Sequence, residues 1–330
     1  MKPVHPFLKL EAGQRASLAE GSRFPAAGHL WSQPEIDALI LAQACRRPLL
    51  VRGEAGCGKS QVARAAAQAL GGTEPLVEVI HPRFEALDLL YRFDTLARLA
   101  DAQIGKLDSS NRKYVRRGRL WEAYEQSTLS GAGAAQPVLL IDEIDKADAD
   151  IPNALLEVLG NRSFTVSPLN NRAIQGHPER FPLIVITTNE ERELPPAFIR
   201  RCVVLNLKPP ETDGKPEADR KFMDWLVKRG QVHEHLQIES VSRQEAAKLV
   251  LADRKEAIAN GYPRVGLSEY IDLLTALHEL THEESDADAR AAAQIDWLRR
   301  LSAYALMKSA DQTQFSEPES PPGGEAQAAG

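Results

Sequence analysis

Gly53-Glu54-Ala55-Gly56-Cys57-Gly58-Lys59-Ser60 is the stretch that decides the fold of this chain. It reads G-x-x-x-x-G-K-S. A short apolar run, Pro48-Leu49-Leu50-Val51, precedes it, and a helix-forming stretch from Gln61 to Leu70 follows. Strand, glycine-rich loop and helix are the surroundings this pattern requires. The glycines let the backbone curl so that successive N–H groups turn inward on an anion. The helix that begins at the loop's end adds its own unpaired N–H groups and the positive end of its dipole. Lys59 can then reach the β- and γ-phosphates of a nucleoside triphosphate, and the Ser60 hydroxyl can ligate magnesium. Gly53, Glu54, Ala55, Gly56, Cys57, Gly58 and Gln61 complete the expected nucleotide-binding set. A glycine turn that merely carries a lysine would look the same locally.

A second segment argues against that plain turn. Val138-Leu139-Leu140-Ile141 is apolar without alternation, as in a strand buried on both faces of a parallel sheet. It ends in Asp142-Glu143. Carboxylates at the carboxyl end of such a strand lie where open α/β sheets bind ligands. Asp142 is placed to hold magnesium, and Glu143 to polarise a water for attack on the γ-phosphate. A solvated helix cap is the competing reading, since Asp145, Lys146 and Asp148 follow. A third apolar run, Leu183-Ile184-Val185-Ile186-Thr187-Thr188-Asn189, ends in an amide that would stand beside Glu143 and help position the water. A further strand, Val203 to Leu207, follows the pair Arg200-Arg201.

This order of motifs resembles an AAA+ ATPase, and within that group the MoxR family. The matching segments are Ile141-Asp142-Glu143-Ile144-Asp145-Lys146, Thr187-Thr188-Asn189 and Leu194-Pro195-Pro196-Ala197-Phe198-Ile199-Arg200-Arg201. With the loop they spread from residue 53 to 201, and the likeness is weaker outside the nucleotide domain. The resemblance implies an α/β fold: a P-loop parallel-sheet core with helices on both faces, followed by a small all-helical lid. It implies ATP and Mg2+ as cofactors, with Ser60 and Asp142 as metal ligands. It makes Arg201 an arginine finger that reaches the nucleotide of a neighbouring subunit in trans, with Arg200 as the alternative. In related NTPases such a cation contributes about 10³–10⁵ in rate. Two arginines at a helix C-terminus are also favourable for local reasons. Arg264, in Tyr262-Pro263-Arg264, resembles the sensor-2 arginine of the family's S-P-R segment, although Tyr262 stands where the family has serine.

The implied activity is ATP hydrolysis in a closed ring, expected to be a hexamer. Its implied role is to remodel, assemble or activate a protein partner, such as one carrying a von Willebrand factor A domain. Two alternatives come from other classes. One is a nucleic-acid motor or loader of the McrB or clamp-loader type. The other is a slow-turnover nucleotide-operated switch or scaffold, against which Glu143 and Asn189 speak.

Composition agrees with a two-domain enzyme. The chain has 330 residues and a net charge of −6, so no global basic character invites nucleic acid. The densest basic run is Arg112-Lys113-Tyr114-Val115-Arg116-Arg117-Gly118-Arg119. Cys45, Cys57 and Cys202 have neither metal spacing nor a paired framework, which suits a cytoplasmic location. Met1 to Glu20 lacks the apolar core of a signal peptide, and no run is long enough to span a bilayer. His278 and His282 read as a helix face, without the pattern of a metal site.

Residues 1–30 read as an irregular leader, and 31–210 as the nucleotide domain opening on a helix from Pro34 to Arg46. Leu76 to Ile80 reads as its second strand. A helix-2-type insertion is expected at about 81–117, with Asp88 to Asp94 and Leu96 to Ala100 helical. A pre-sensor hairpin is expected at about 160–180, turning at Asn170-Asn171. Residues 211–310 read as the helical lid, its first helix stopped by Gly230, and 311–330 as a disordered tail.

Overall fold

The computed structural model describes residues 6–129, 135–148, 150–212 and 214–306. The tail 311–330, and the last residues of the expected lid, 307–310, lie outside the described residues. Strands β1 (Arg15–Leu18) and β2 (Ala27–Leu30) pair antiparallel. This corrects the expectation of an irregular leader. The strands are four residues long, and the buried positions of β2 are Ala27 and His29, so little apolar alternation marks them. Phe7, Leu18 and Ala27 enter the core with helix α1 (Gln33–Cys45). That helix starts where the Glu35 carboxylate accepts the Ser32 backbone N–H at 2.7 Å and ends at Arg46 in the left-handed region, φ 52°. Strand β3 (Leu49–Gly53), helix α2 (Lys59–Ala69) and strand β4 (Leu76–Val79) follow.

The insertion contains α3 (Ala86–Leu90), β5 (Tyr91–Phe93), α4 (Thr95–Gln103) and β6 (Val115–Arg117). The helix expected from Asp88 to Asp94 stops at Leu90, because Tyr91–Phe93 pairs with β6. Gly118 makes this return feasible: its N–H donates to Leu90 O at 2.9 Å, and a Cβ there would sit 2.3 Å from Leu89 O. Much of the basic run is neutralised within the chain. Lys113 pairs with Asp101 at 2.5 Å, Arg117 with Glu125 at 2.5 Å and Arg119 with Glu122 at 2.6 Å.

The chain continues through α5 (Arg119–Thr128), β7 (Val138–Asp142), α6 (Asp150–Asn161), β8 (Ser163–Val166), β9 (Arg172–Gln175), β10 (Leu183–Thr188), α7 (Pro196–Arg201) and β11 (Val203–Leu207). Strands β8 and β9 form the expected hairpin. Asn170 and Asn171 turn it at φ 56° and 55°, a conformation asparagine tolerates. The Asn111 side-chain amide donates to Pro168 O at 2.9 Å and ties the insertion to this hairpin.

The central sheet has the order β11-β3-β10-β7-β4, and every pairing is parallel. Successive side chains of each strand enter opposite cores. Leu49, Val51, Leu140 and Val185 face α1 and α2. Leu50, Leu139, Ile141, Ile184 and Ile186 face a core with Trp121 and Tyr124 of α5, Leu155 of α6 and Phe198 of α7. Burial on both faces is why these strands read as solid apolar runs.

Helices α8 (Pro216–Gln231), α9 (Ser240–Asn260), α10 (Leu267–Thr281) and α11 (Ala287–Ala305) form the lid around Phe222, Val250, Tyr270, Leu274 and Leu298. Helix α8 ends at Gln231, one residue past Gly230. Tyr270 packs on Gly230, and a Cβ there would stand 2.8 Å from the Tyr270 ring. Gly261, at φ 70°, ends α9. Among the described residues no helix is long and apolar enough to cross a membrane.

Candidate functional site

The carboxyl ends of β3, β7 and β10 open under the lid into a cleft of about 430 Å³. The loop from β3 to α2 forms its floor. Gly56 and Gly58 hold left-handed φ values of 71° and 98°, which a side chain would oppose. Ala55 through Gln61 line the cleft, as expected of a phosphate cradle. Lys59 is 7 % exposed, and its ammonium donates to Gly53 O at 2.9 Å and Glu54 O at 2.7 Å.

Three side chains then line up across the sheet edge. The Ser60 hydroxyl lies 3.1 Å from both Asp142 carboxylate oxygens. The Thr187 hydroxyl donates to Asp142 Oδ1 and accepts the Glu143 backbone N–H, the latter at 3.0 Å. Parallel pairing of β7 with β10 produces this register. Glu143 leaves the strand at φ 62°, and Lys146 holds its carboxylate at 2.7 Å. That pairing raises the Lys146 pKa, through the hydrogen bond first and the Glu143 charge second. One hydroxyl and one carboxylate at this spacing form an oxygen donor pair that fits magnesium, which takes few protein ligands and retains water.

Asn189 lines the same cleft. Asp145, which the competing cap reading would leave solvated, is 2 % exposed. Its carboxylate accepts the Glu191 N–H at 3.0 Å and the Asn189 N–H at 3.4 Å, binding the loop after β10 to the loop after β7.

Among the predicted residues, Gly53, Glu54, Arg200, Arg201 and Arg264 are not part of the cleft lining. Glu54 points to the lid, where its carboxylate meets Arg254 at 2.7 Å and Arg264 at 2.9 Å. Arg200 and Arg201 are exposed on α7, and among the described residues neither lines the cleft. Cys57 does line it, but burial pushes its thiol pKa up, which works against an oxidation-sensitive thiolate.

The far end of the cleft is what sequence reasoning could not assign. Gly28, His29, Trp225, Arg229 and His233 line it, brought together from β2 and the lid. The Arg229 guanidinium lies 4.3 Å from the Trp225 ring centroid. Burial lowers the pKa of His29, with Glu35 opposing and Arg229 reinforcing the shift.

The five-stranded parallel sheet, the glycine loop capping α2 and the acidic end of β7 define a P-loop nucleotide-binding fold of the AAA+ type. In keeping with this, residues 48–202 match the family model of the AAA domain (dynein-related subfamily). A stretch of 226 residues is 26 % identical to Lon protease 1 of Syntrophotalea carbinolica, covering 66 % of this chain and 23 % of that protein. The chain thus spans about a quarter of that curated relative's length. Among solved structures, NtrX from Brucella abortus in complex with ATP is similar at 14 % identity and a TM-score of 0.44, over 77 % of this chain and 52 % of that one. A Thermogota maritima RuvB variant is similar at 16 % identity and a TM-score of 0.40, over 80 % of this chain and 66 % of that one.

Proposed function

We propose that this chain is a MoxR-like ATPase that hydrolyses Mg–ATP in a ring and uses the resulting lid motion to remodel a protein partner. The observation that carries the reading is the line from Ser60 through Asp142 and Thr187 to Glu143, which runs from the phosphate loop to an acid able to activate water. The loop amides and Lys59 bind the triphosphate. Ser60 and Asp142 hold magnesium, which neutralises charge on the phosphate oxygens when bound. Glu143 accepts a proton from the attacking water, and Asn189 orients that water.

The exposed position of Arg201 on α7 supports its use by a neighbouring subunit. A closed ring of repeated contacts would supply one such arginine to each cleft. Arg200 is the alternative finger. By the MoxR resemblance, a protein with a von Willebrand factor A domain is one candidate partner.

The test mixes two inactive variants. Arg201→Ala retains the loop, and Lys59→Ala retains the finger. Mixed, they should recover part of the wild-type ATPase, because some interfaces combine an intact loop with an intact finger. If no ATPase returns from mixtures that co-assemble, the arginine does not act in trans.

A further inference from the structure

Two arginines of the lid share the carboxylate of Glu54, and their contacts differ in kind. Arg254, on α9, is 4 % exposed. Its Nη2 donates to both Glu54 oxygens, at 3.0 and 2.7 Å, and its Nη1 donates to Val265 O at 2.8 Å. The Phe222 ring centroid lies 5.1 Å from its guanidinium carbon. Arg264 makes one bond, from Nη1 to Glu54 Oε1 at 2.9 Å, and its side chain is 54 % exposed. Two positive charges therefore face one negative charge on the loop, one residue before the cleft-lining Ala55.

The physical consequence is a hierarchy. An exposed, singly bonded ion pair is weakly held and exchanges readily for another anion. A buried, multiply bonded pair is not given up, since parting it strands a charge in a poorly solvated place.

We propose that Arg254 is a positioning residue: it keeps Glu54 occupied, so that Arg264 can leave that carboxylate for the γ-phosphate of bound ATP. The inference rests on the reading of Arg264 as a γ-phosphate contact. Without Arg254, the Glu54 carboxylate would keep Arg264 as its remaining cation and withhold it from the nucleotide. Arg254 also steadies the segment that carries Arg264, through its bond to Val265 O. Just beyond, α10 begins against the loop itself: a Cβ on Gly56 would lie 2.0 Å from Ser268 Oγ. Loop and lid thus meet at Arg254 and Glu54 and again at Gly56 and Ser268.

The experiment measures steady-state ATP turnover and ATP affinity of the full chain with magnesium. Arg254→Ala should lower kcat about tenfold or more while ATP affinity changes less than about threefold. Adding Glu54→Gln should restore turnover to within about threefold of Glu54→Gln alone, because the carboxylate that captures Arg264 is gone; two residues in contact are expected to be non-additive in this way. Lost packing around Arg254 would not be rescued by a change in Glu54. Equal loss in the single and double variants overturns the proposal.

Arg264→Ala in the otherwise unchanged chain separates the two levels of inference. If it turns over like wild type, the γ-phosphate reading fails and takes the proposal with it. If it is impaired yet Glu54→Gln gives no rescue, only the role of Arg254 fails. Should Arg254→Ala not fold, as judged by its melting curve, Arg254→Lys serves instead. Lysine keeps the charge without the fork, so turnover should fall less and should again be relieved by Glu54→Gln; no relief overturns the proposal.

Discussion

Asp145 Oδ2 accepts the Glu191 backbone N–H at 3.0 Å, joining the turn after β7 to the turn after β10. One carboxylate therefore sets the spacing between the segment that carries Glu143 and the one that carries Asn189. Replacing it with alanine leaves the Glu191 and Asn189 N–H groups without their acceptor; Glu191 is exposed and Asn189 half-buried, so water can partly replace the carboxylate. At about 0.5–1.5 kcal/mol for each hydrogen bond lost, Asp145→Ala should destabilise the protein by roughly 1–3 kcal/mol. It should also cut kcat by about tenfold or more with little change in ATP affinity, since the phosphate loop is untouched. Chemical denaturation and steady-state kinetics check the two parts separately. Unchanged kcat in a folded variant would show that the spacing does not matter to turnover.

The Thr187 hydroxyl is shared between Asp142 and the Glu143 amide, so it links the metal-holding carboxylate to the water-activating one. Thr187→Val keeps the shape and removes that link. It should lower kcat by about tenfold to a hundredfold and raise the magnesium concentration needed for half-maximal rate. Thr187→Ser retains the hydroxyl and should stay within about threefold of wild type, a contrast that isolates the hydrogen bond from packing. A magnesium titration of both variants reads this out, and identical curves for valine and serine would remove the role of the hydroxyl.

What could be read from sequence here is what is local. The phosphate loop, the acidic end of β7 and the Asn170-Asn171 turn each depend on neighbouring residues, and the solid apolar runs of β7 and β10 announce burial on both faces. The β1–β2 hairpin was hidden because its strands are short and one of its buried positions is His29. Tyr91–Phe93 looked helical because its partner strand lies more than twenty residues further on. Arg254 could not be found at all: its importance comes from Glu54, 200 residues away, and nothing near it in sequence marks it. Asp145 had no role legible in sequence, because the turn after β10 that it holds lies more than forty residues away.

Gly28 makes the seam between the β1–β2 hairpin and the lid. A Cβ at this position would stand 2.1 Å from Val232 O and 2.9 Å from His233 N, both backbone atoms that no side-chain rotation can move. Gly28→Ala should therefore force hairpin and lid apart. Overpacking of this kind costs about 1–3 kcal/mol, and because Gly28 and His233 line the cleft, ATP affinity should fall along with stability. Gly105→Ala is a useful contrast, since a Cβ there meets nothing within 4 Å; its cost should be limited to backbone strain at φ 70° and should leave ATP affinity unchanged. Matched thermal melts and nucleotide titrations distinguish the two. Equal ATP affinity for both variants would show that the seam does not shape the cleft.

Mild acid should weaken the fold through His233. Burial pushes its imidazole pKa down to about 4, with His235 and Arg64 adding smaller repulsions in the same direction, whereas in the unfolded chain it titrates near its ordinary 6.5. Between those values the unfolded chain binds the proton and the folded chain does not, so stability rises with pH across this window. The contribution is fully present above about pH 6.5, is lost as pH falls through the window, and levels off below about 4. Integrated from pH 7 to 5, the loss is about 2 kcal/mol. His29, whose pKa is also lowered chiefly by burial, adds a term of the same sign. Stopping at pH 5 keeps most carboxylates charged and the imidazole effect legible. Urea unfolding at pH 7, 6 and 5, without nucleotide, should show the decline in wild type and a shallower one in His233→Gln, whose amide does not titrate. Parallel slopes for the two proteins would mean that another group carries the acid sensitivity.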